Sequence, residues 1–148
     1  MATIHIKRSA TVSPERFVAA LTNFGPGRGK VFAYSHEASV TVHARADTWA
    51  DVTEGSAAGT WERLHYDWSQ PNVVRLTTTD SNTWSTGSGW VYTLTPRSDG
   101  KTDIDLAVVH KGKNAKGRLG AAIMAVAGRW ILGRDLRRTL TALERTDE

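Results

Sequence analysis

The sequence predicts an α+β fold, in which a curved antiparallel sheet of about seven strands wraps around a long C-terminal helix, with two short helices after the first strand. Three observations predict it. A strand-like stretch opens the chain and helix signals follow it at once. About six period-two segments then run without helical interruption, and an amphipathic stretch of roughly thirty residues ends the chain.

Each element has its own local reason. Residues 3–11 alternate polar and apolar side chains, as a strand does. Ser13 then suits an N-cap, with Pro14 at the first helical position and Phe17, Val18, Ala20 and Leu21 as the apolar side. Gly25-Pro26-Gly27 ends that helix, and a second short helix or turn carries Val31 and Phe32. Period two then takes over at residues 39–44, 48–54, 61–68, 73–79, 90–96 and 102–110. Pro71-Asn72 and Ser98-Asp99-Gly100 are turn signals, and short connections of this kind imply antiparallel neighbours. Residues 80–89 are polar and longer, which predicts a mobile loop.

In the final helix, Leu119, Ile123, Val126 and Trp130 step by four, three and four and so share one stripe. Beyond Gly133 the apolar positions become Leu136, Leu140 and Leu143, while Arg137 falls on the extension of the first stripe. The sheet is the only large surface on which such a helix can bury itself.

Composition narrows the function classes. A chain of 148 residues suits a single domain over 1–148 with a real core. With no cysteine, disulfides, thiolate metal sites and cysteine nucleophiles are excluded. The N-terminus lacks the apolar run of a signal peptide, and residues 119–132 contain Arg129 and are too short to span a bilayer. A cytoplasmic location is expected. The net charge of +4 is uneven, with Lys111, Lys113, Lys116 and Arg118 forming a run without acids. That run is either a solvated loop or a weak contact for an anionic membrane surface. No nucleic-acid signature accompanies it, so no nucleic-acid partner is expected. Residues 25–30 resemble a phosphate loop only superficially, since Phe24 and Val31 stand where that motif needs glycine and Ser or Thr.

Several local stretches carry a family resemblance: Asn23-Phe24-Gly25-Pro26-Gly27-Arg28, Asp47-Thr48-Trp49-Ala50-Asp51-Val52-Thr53-Glu54-Gly55, Tyr66-Asp67-Trp68-Ser69 and Thr79-Asp80-Ser81-Asn82. With the element order, they resemble the SRPBCC superfamily, the START-like or helix-grip fold, and within it actinobacterial proteins of the polyketide cyclase/dehydrase type. The resemblance covers nearly the whole chain. It implies a hydrophobic cavity between the sheet and the C-terminal helix, and brings no assigned catalytic motif with it.

Alternation proposes the cavity wall: Val40 and Val42; Leu64, Tyr66 and Trp68; Trp90, Tyr92 and Leu94; Ile104, Leu106 and Val108; and Ile123, Val126 and Trp130 from the helix. The competing reading is that these residues fill a solid core. The six tryptophans allow the same two readings, except Trp84, whose polar loop suggests a cover over the cavity mouth.

The five histidines show no metal-ligand spacing, and no cofactor motif is present, so no metal or cofactor is expected. Acid/base chemistry in the pocket would need a polar group there. His43 is the first choice, with His65 as partner and Asp51 as orienting carboxylate; the alternative is that they face solvent. Three functions follow: a binder or transporter of a small hydrophobic molecule such as a lipid, polyketide or isoprenoid; a cyclase/dehydratase-type enzyme acting on one; or an interaction or membrane-surface module. The absence of a convergent catalytic group favours the first. The sequence leaves the oligomeric state open.

Overall fold

In the computed structural model the described residues are 2–32, 35, 40–56 and 59–146. Seven strands form one antiparallel sheet: β1 (Ala2–Ala10), β2 (Thr41–Arg45), β3 (Trp49–Gly55), β4 (Trp61–Asp67), β5 (Val73–Ser81), β6 (Gly89–Pro96) and β7 (Thr102–His110). Their spatial order is β1-β7-β6-β5-β4-β3-β2. Consecutive strands β2 to β7 are therefore neighbours, as their short turns require. The first strand pairs with the last, from Ala2 opposite His110 to Ala10 opposite Thr102. Residue 39, the expected start of β2, lies outside the described residues.

Two short helices, α1 (Pro14–Leu21) and α2 (Arg28–Val31), carry the chain from one edge of the sheet to the other. Ser13 caps α1 by accepting the Arg16 amide at 3.1 Å, and Pro14 occupies the first turn. The Phe17 ring packs on Tyr92 at 5.5 Å between centroids, which fastens α1 to the inner face of the sheet. Register shifts between Arg63 and Leu64, and between Val42 and Ala44, bend the sheet locally.

The long helix α3 (Ala115–Thr146) crosses the inner face and packs closely on β1. Its start is set by Asn114, whose side-chain oxygen accepts the Gly117 amide at 2.9 Å. The face it buries is not the expected one. Leu119, Ile123, Val126 and Trp130 are exposed, Val126 at 91% and Trp130 at 68%. The buried positions are Gly117, Ala121 and Gly128, followed by Gly133, Leu136, Thr139, Leu140 and Leu143. Close approach decides this. A Cβ on Gly117 would lie 2.0 Å from the Thr83 carbonyl oxygen, and one on Gly128 would lie 2.4 Å from Ile4 Cδ1. The first half of α3 meets the sheet through small residues, where larger apolar ones do not fit.

Residues 80–89 also differ from expectation. β5 extends to Ser81, and the following turn is fastened rather than loose. Ser81 Oγ accepts the amides of Thr83 and Trp84 at 3.0 Å, Lys111 O accepts that of Ser85 at 2.8 Å, and Thr83 O accepts that of Lys113 at 2.9 Å. Among the described residues no helix is long and apolar enough to cross a membrane.

Candidate functional site

A cavity of about 200 Å³ lies between the inner face of the sheet and α3. Its floor is apolar: Leu64 from β4, Trp90 and Tyr92 from β6, and Leu106 from β7. Met124, Leu132 and Leu136 of α3 form the roof, with Phe32 beside them. The half-buried Ser56, Thr60, Met124, Leu132 and Asp135 mark where it opens, between the β3–β4 turn and α3. The volume falls below the roughly 300–1,000 Å³ of drug-sized pockets, so it suits a molecule of one or two rings.

The expected wall residues separate into three groups. Leu64, Trp90, Tyr92 and Leu106 line the cavity. Tyr66, Leu94, Ile104 and Val108 point inward but are packed into the surrounding core, where Val40 and Trp68 are half-buried. Val42 lies on the exposed edge strand β2 and is 43% exposed, while Ile123, Val126 and Trp130 turn away from the cavity on the outer side of α3. These four do not reach the site. The helix lies on its small-residue face, which sends the large apolar stripe outward.

The expected acid/base group lies elsewhere too. His65 Nδ1 and Asp51 Oδ1 are 2.7 Å apart, but on the outer face of the sheet, with Trp49 stacked on the imidazole at 5.8 Å. His43 is exposed and hydrogen-bonds Thr53 at 2.6 Å. On β3 and β4 the buried positions are mostly even-numbered, Ala50, Val52, Glu54 and Glu62, Leu64, Tyr66, so Asp51 and His65 face outward.

The same alternation carries two carboxylates inward. Glu54 and Glu62 are directly opposed across the β3–β4 ladder and both line the cavity. Period two along β4 places 62 with 64 and 66, so the signal was present in the sequence. Glu54 is enclosed by a buried network. Arg28 Nε donates to Glu54 Oε1 at 2.8 Å, Ser35 Oγ to the same oxygen at 2.7 Å, and the Tyr66 hydroxyl to Oε2. Arg28 also donates to the carbonyls of Leu21 and Asn23, at 2.8 and 2.9 Å, and to the Tyr66 hydroxyl at 2.8 Å. Its guanidinium lies between the rings of Phe24 and Phe32, 4.7 and 4.9 Å from their centroids.

Glu62 stands in a different setting. Its Oε2 accepts from the Thr78 hydroxyl at 2.9 Å. Burial first, and the charge of Glu54 in addition, raise its pKa to about 7 against the opposing Thr78 hydrogen bond. Trp84, expected over the mouth, is buried in the wall and stacks on His110 at 4.3 Å, with Trp90 edge-on to the same imidazole at 5.2 Å. Burial pushes the His110 pKa down to about 4, so the imidazole is neutral at physiological pH. Among the described residues no group of three His, Cys, Asp or Glu could hold a metal ion.

Solved structures share this fold. A START superfamily protein from Mycobacterium smegmatis superposes with a TM-score of 0.71 at 10% identity, covering 97% of this chain and 99% of that one. The chain has the START-like, helix-grip fold. The Zhui aromatase/cyclase from Streptomyces sp. R1128 matches with a TM-score of 0.77 at 13% identity, over 99% of this chain and 95% of that one. The Aha1 dimer from Colwellia psychrerythraea matches at 0.67 and 14%, over 97% of each chain. No protein-family model matches the sequence, and no curated protein does. At these identities the likeness establishes the START-like fold, and the site must be argued from its own residues.

Proposed function

We propose that this protein binds a small hydrophobic molecule in the cavity between sheet and α3, as a carrier or sensor. One observation carries the reading: an apolar cavity of about 200 Å³ in an otherwise close-packed interior. Packed cores rarely keep voids of that size without use. The likeness to a START superfamily protein and an aromatase/cyclase is consistent with it. The cyclase/dehydratase reading is weaker, because His43, His65 and Asp51 are all remote from the cavity. Native mass spectrometry of the purified protein, followed by organic extraction, tests the proposal. A co-purifying apolar species that disappears in Leu136→Trp, which fills the roof, is the expected result. Retention of the same species by Leu136→Trp would place it outside the cavity.

A second reading is carried by the outer face of α3. We infer that Leu119, Ile123, Val126 and Trp130 rest on an anionic lipid surface. With a period of 3.6 residues, Lys116 and Arg134 flank the stripe on one side and Arg118 and Arg129 on the other. No acid occurs from Lys111 to Arg134. An apolar stripe with tryptophan, bordered by cations, complements a negatively charged bilayer, whereas a second copy would bring like charges together. Lys113, expected to take part, is engaged by Asp80 and by the Ser81 carbonyl. Sedimentation with phosphatidylglycerol-containing vesicles, and not with pure phosphatidylcholine, is expected. Val126→Asp or Arg129→Glu should abolish it; binding unchanged in both, or a stable dimer through this face, would overturn it.

A further inference from the structure

We propose that the cavity selects an uncharged, ring-bearing molecule with one hydrogen-bond-accepting oxygen, of the aryl ketone class, and that Glu62 donates to that oxygen. The inference rests on the cavity reading above and specifies its ligand.

The two inward carboxyl groups differ in what they can still do. Glu54 is occupied on both oxygens by Arg28, Ser35 and Tyr66. Glu62, buried on the adjacent strand, has Thr78 as its only hydrogen-bond partner among the described residues, on Oε2. With its pKa raised to about 7 by burial, it holds a proton below neutral pH. A buried O–H without an acceptor is costly, and a ligand oxygen in the cavity would supply one.

The remaining wall fixes the charge and shape of the guest. Among the described residues no lysine or arginine lines the cavity, while Glu54, Glu62 and Asp135 all do. A carboxylate or phosphate ligand would therefore be buried with no cation lining the cavity to offset its charge. Trp84, Trp90 and Tyr92 offer flat apolar surface, and the stacking of Trp84 on His110 holds one side rigid. Among the described residues, the titratable groups that line the cavity with Glu62 are Glu54 from β3, Tyr92 from β6, His110 from β7 and Asp135 from α3. His110, with its pKa near 4, stays neutral through the range in which Glu62 titrates.

Four naphthalene probes of one size separate the possibilities: 2-acetonaphthone, its hydrocarbon isostere 2-isopropenylnaphthalene, 2-naphthoate and 2-naphthylmethylammonium. Affinities are measured by calorimetry at about pH 5.5 and about pH 8.5, on either side of the Glu62 titration. The ketone should bind about tenfold more tightly than its isostere at the lower pH, the worth of one hydrogen bond, and lose most of that advantage at the higher. Naphthoate should bind weakest. Glu62→Gln, which keeps an N–H donor, should retain the preference at both pH values. Glu62→Val should bind ketone and hydrocarbon alike, with circular dichroism confirming its fold. Equal binding of ketone and hydrocarbon by the wild-type protein, tightest binding of the ammonium, or a preference that survives in Glu62→Val would each overturn the assignment and leave the cavity reading standing. Binding of none of the four would overturn both.

Discussion

Arg28 and Glu54 form an ion pair 2.8 Å long from which water is excluded, their side chains being 0% and 2% exposed. The pair ties the chain after α1, through the Leu21 and Asn23 carbonyls, to the third strand of the sheet. Breaking one partner of a buried pair leaves the other charge stranded, which typically costs about 3–5 kcal/mol. Arg28→Met is predicted to lose that much stability in urea unfolding, and Arg28→Met with Glu54→Gln to recover part of it. A loss below about 1 kcal/mol in the single variant would show that the pair is not a structural tie.

Two buried groups are predicted to oppose one another in the pH dependence of stability. The Glu62 pKa rises on folding from 4.5 to about 7, so the folded state holds the extra proton and stability falls as pH rises through that window. The His110 pKa falls from 6.5 to about 4, so the unfolded state holds the extra proton and stability rises over nearly the same window. Each effect is on the order of 3 kcal/mol, so their sum should be nearly flat between about pH 4.5 and 6.5. Glu62→Gln should expose the histidine slope, a steady loss of stability on acidification. His110→Gln should expose the opposite slope. A Glu62→Gln curve whose stability does not fall on acidification would contradict the His110 shift, and a His110→Gln curve whose stability does not fall as pH rises would contradict the Glu62 shift.

The small-residue face of α3 gives a packing prediction. A methyl group on Gly117 meets backbone, the Thr83 carbonyl, and cannot be relieved by a rotamer change. Gly117→Ala should cost about 1–3 kcal/mol, as overpacking of close-packed sites does. Alanine is otherwise the better helix former, so a rise in melting temperature would mean the helix does not approach Thr83.

Opposite faces of the same helix should respond in opposite ways. Leu136, buried at the cavity roof, should cost about 2–5 kcal/mol on replacement by alanine. Val126→Asp, at a position 91% exposed, should stay within about 0.5 kcal/mol of the parent by thermal unfolding. The reverse ranking would restore the apolar stripe to the interior.

How much of this was legible follows from the same residues. The strand order was readable because period two persists from β2 to β7, and short turns leave antiparallel neighbours as the only arrangement. The apolar cavity floor was readable for the same reason, in Leu64, Trp90, Tyr92 and Leu106. The helix face was not, because hydrophobic periodicity weighs Ile123, Val126 and Trp130 heavily and Gly117 and Gly128 hardly at all. Contact distance, not hydrophobicity, selected the buried side. Arg28, Glu54 and Glu62 were missed since a charged residue in a strand or loop ordinarily faces water, and only their mutual placement makes burial tolerable. The stretch from Asn23 to Arg28, one of those carrying the family resemblance, acquires a physical role in Arg28.

The most direct measurement is a crystal structure grown with 2-acetonaphthone at about pH 5.5, where Glu62 should carry its proton. The rings should lie between Leu64 and Leu106 on one side and Leu132 and Leu136 on the other, with the keto oxygen within hydrogen-bonding distance of the Glu62 carboxyl. Walls closed on themselves, or a cavity holding only water while the ketone sits on the surface, would contradict the account.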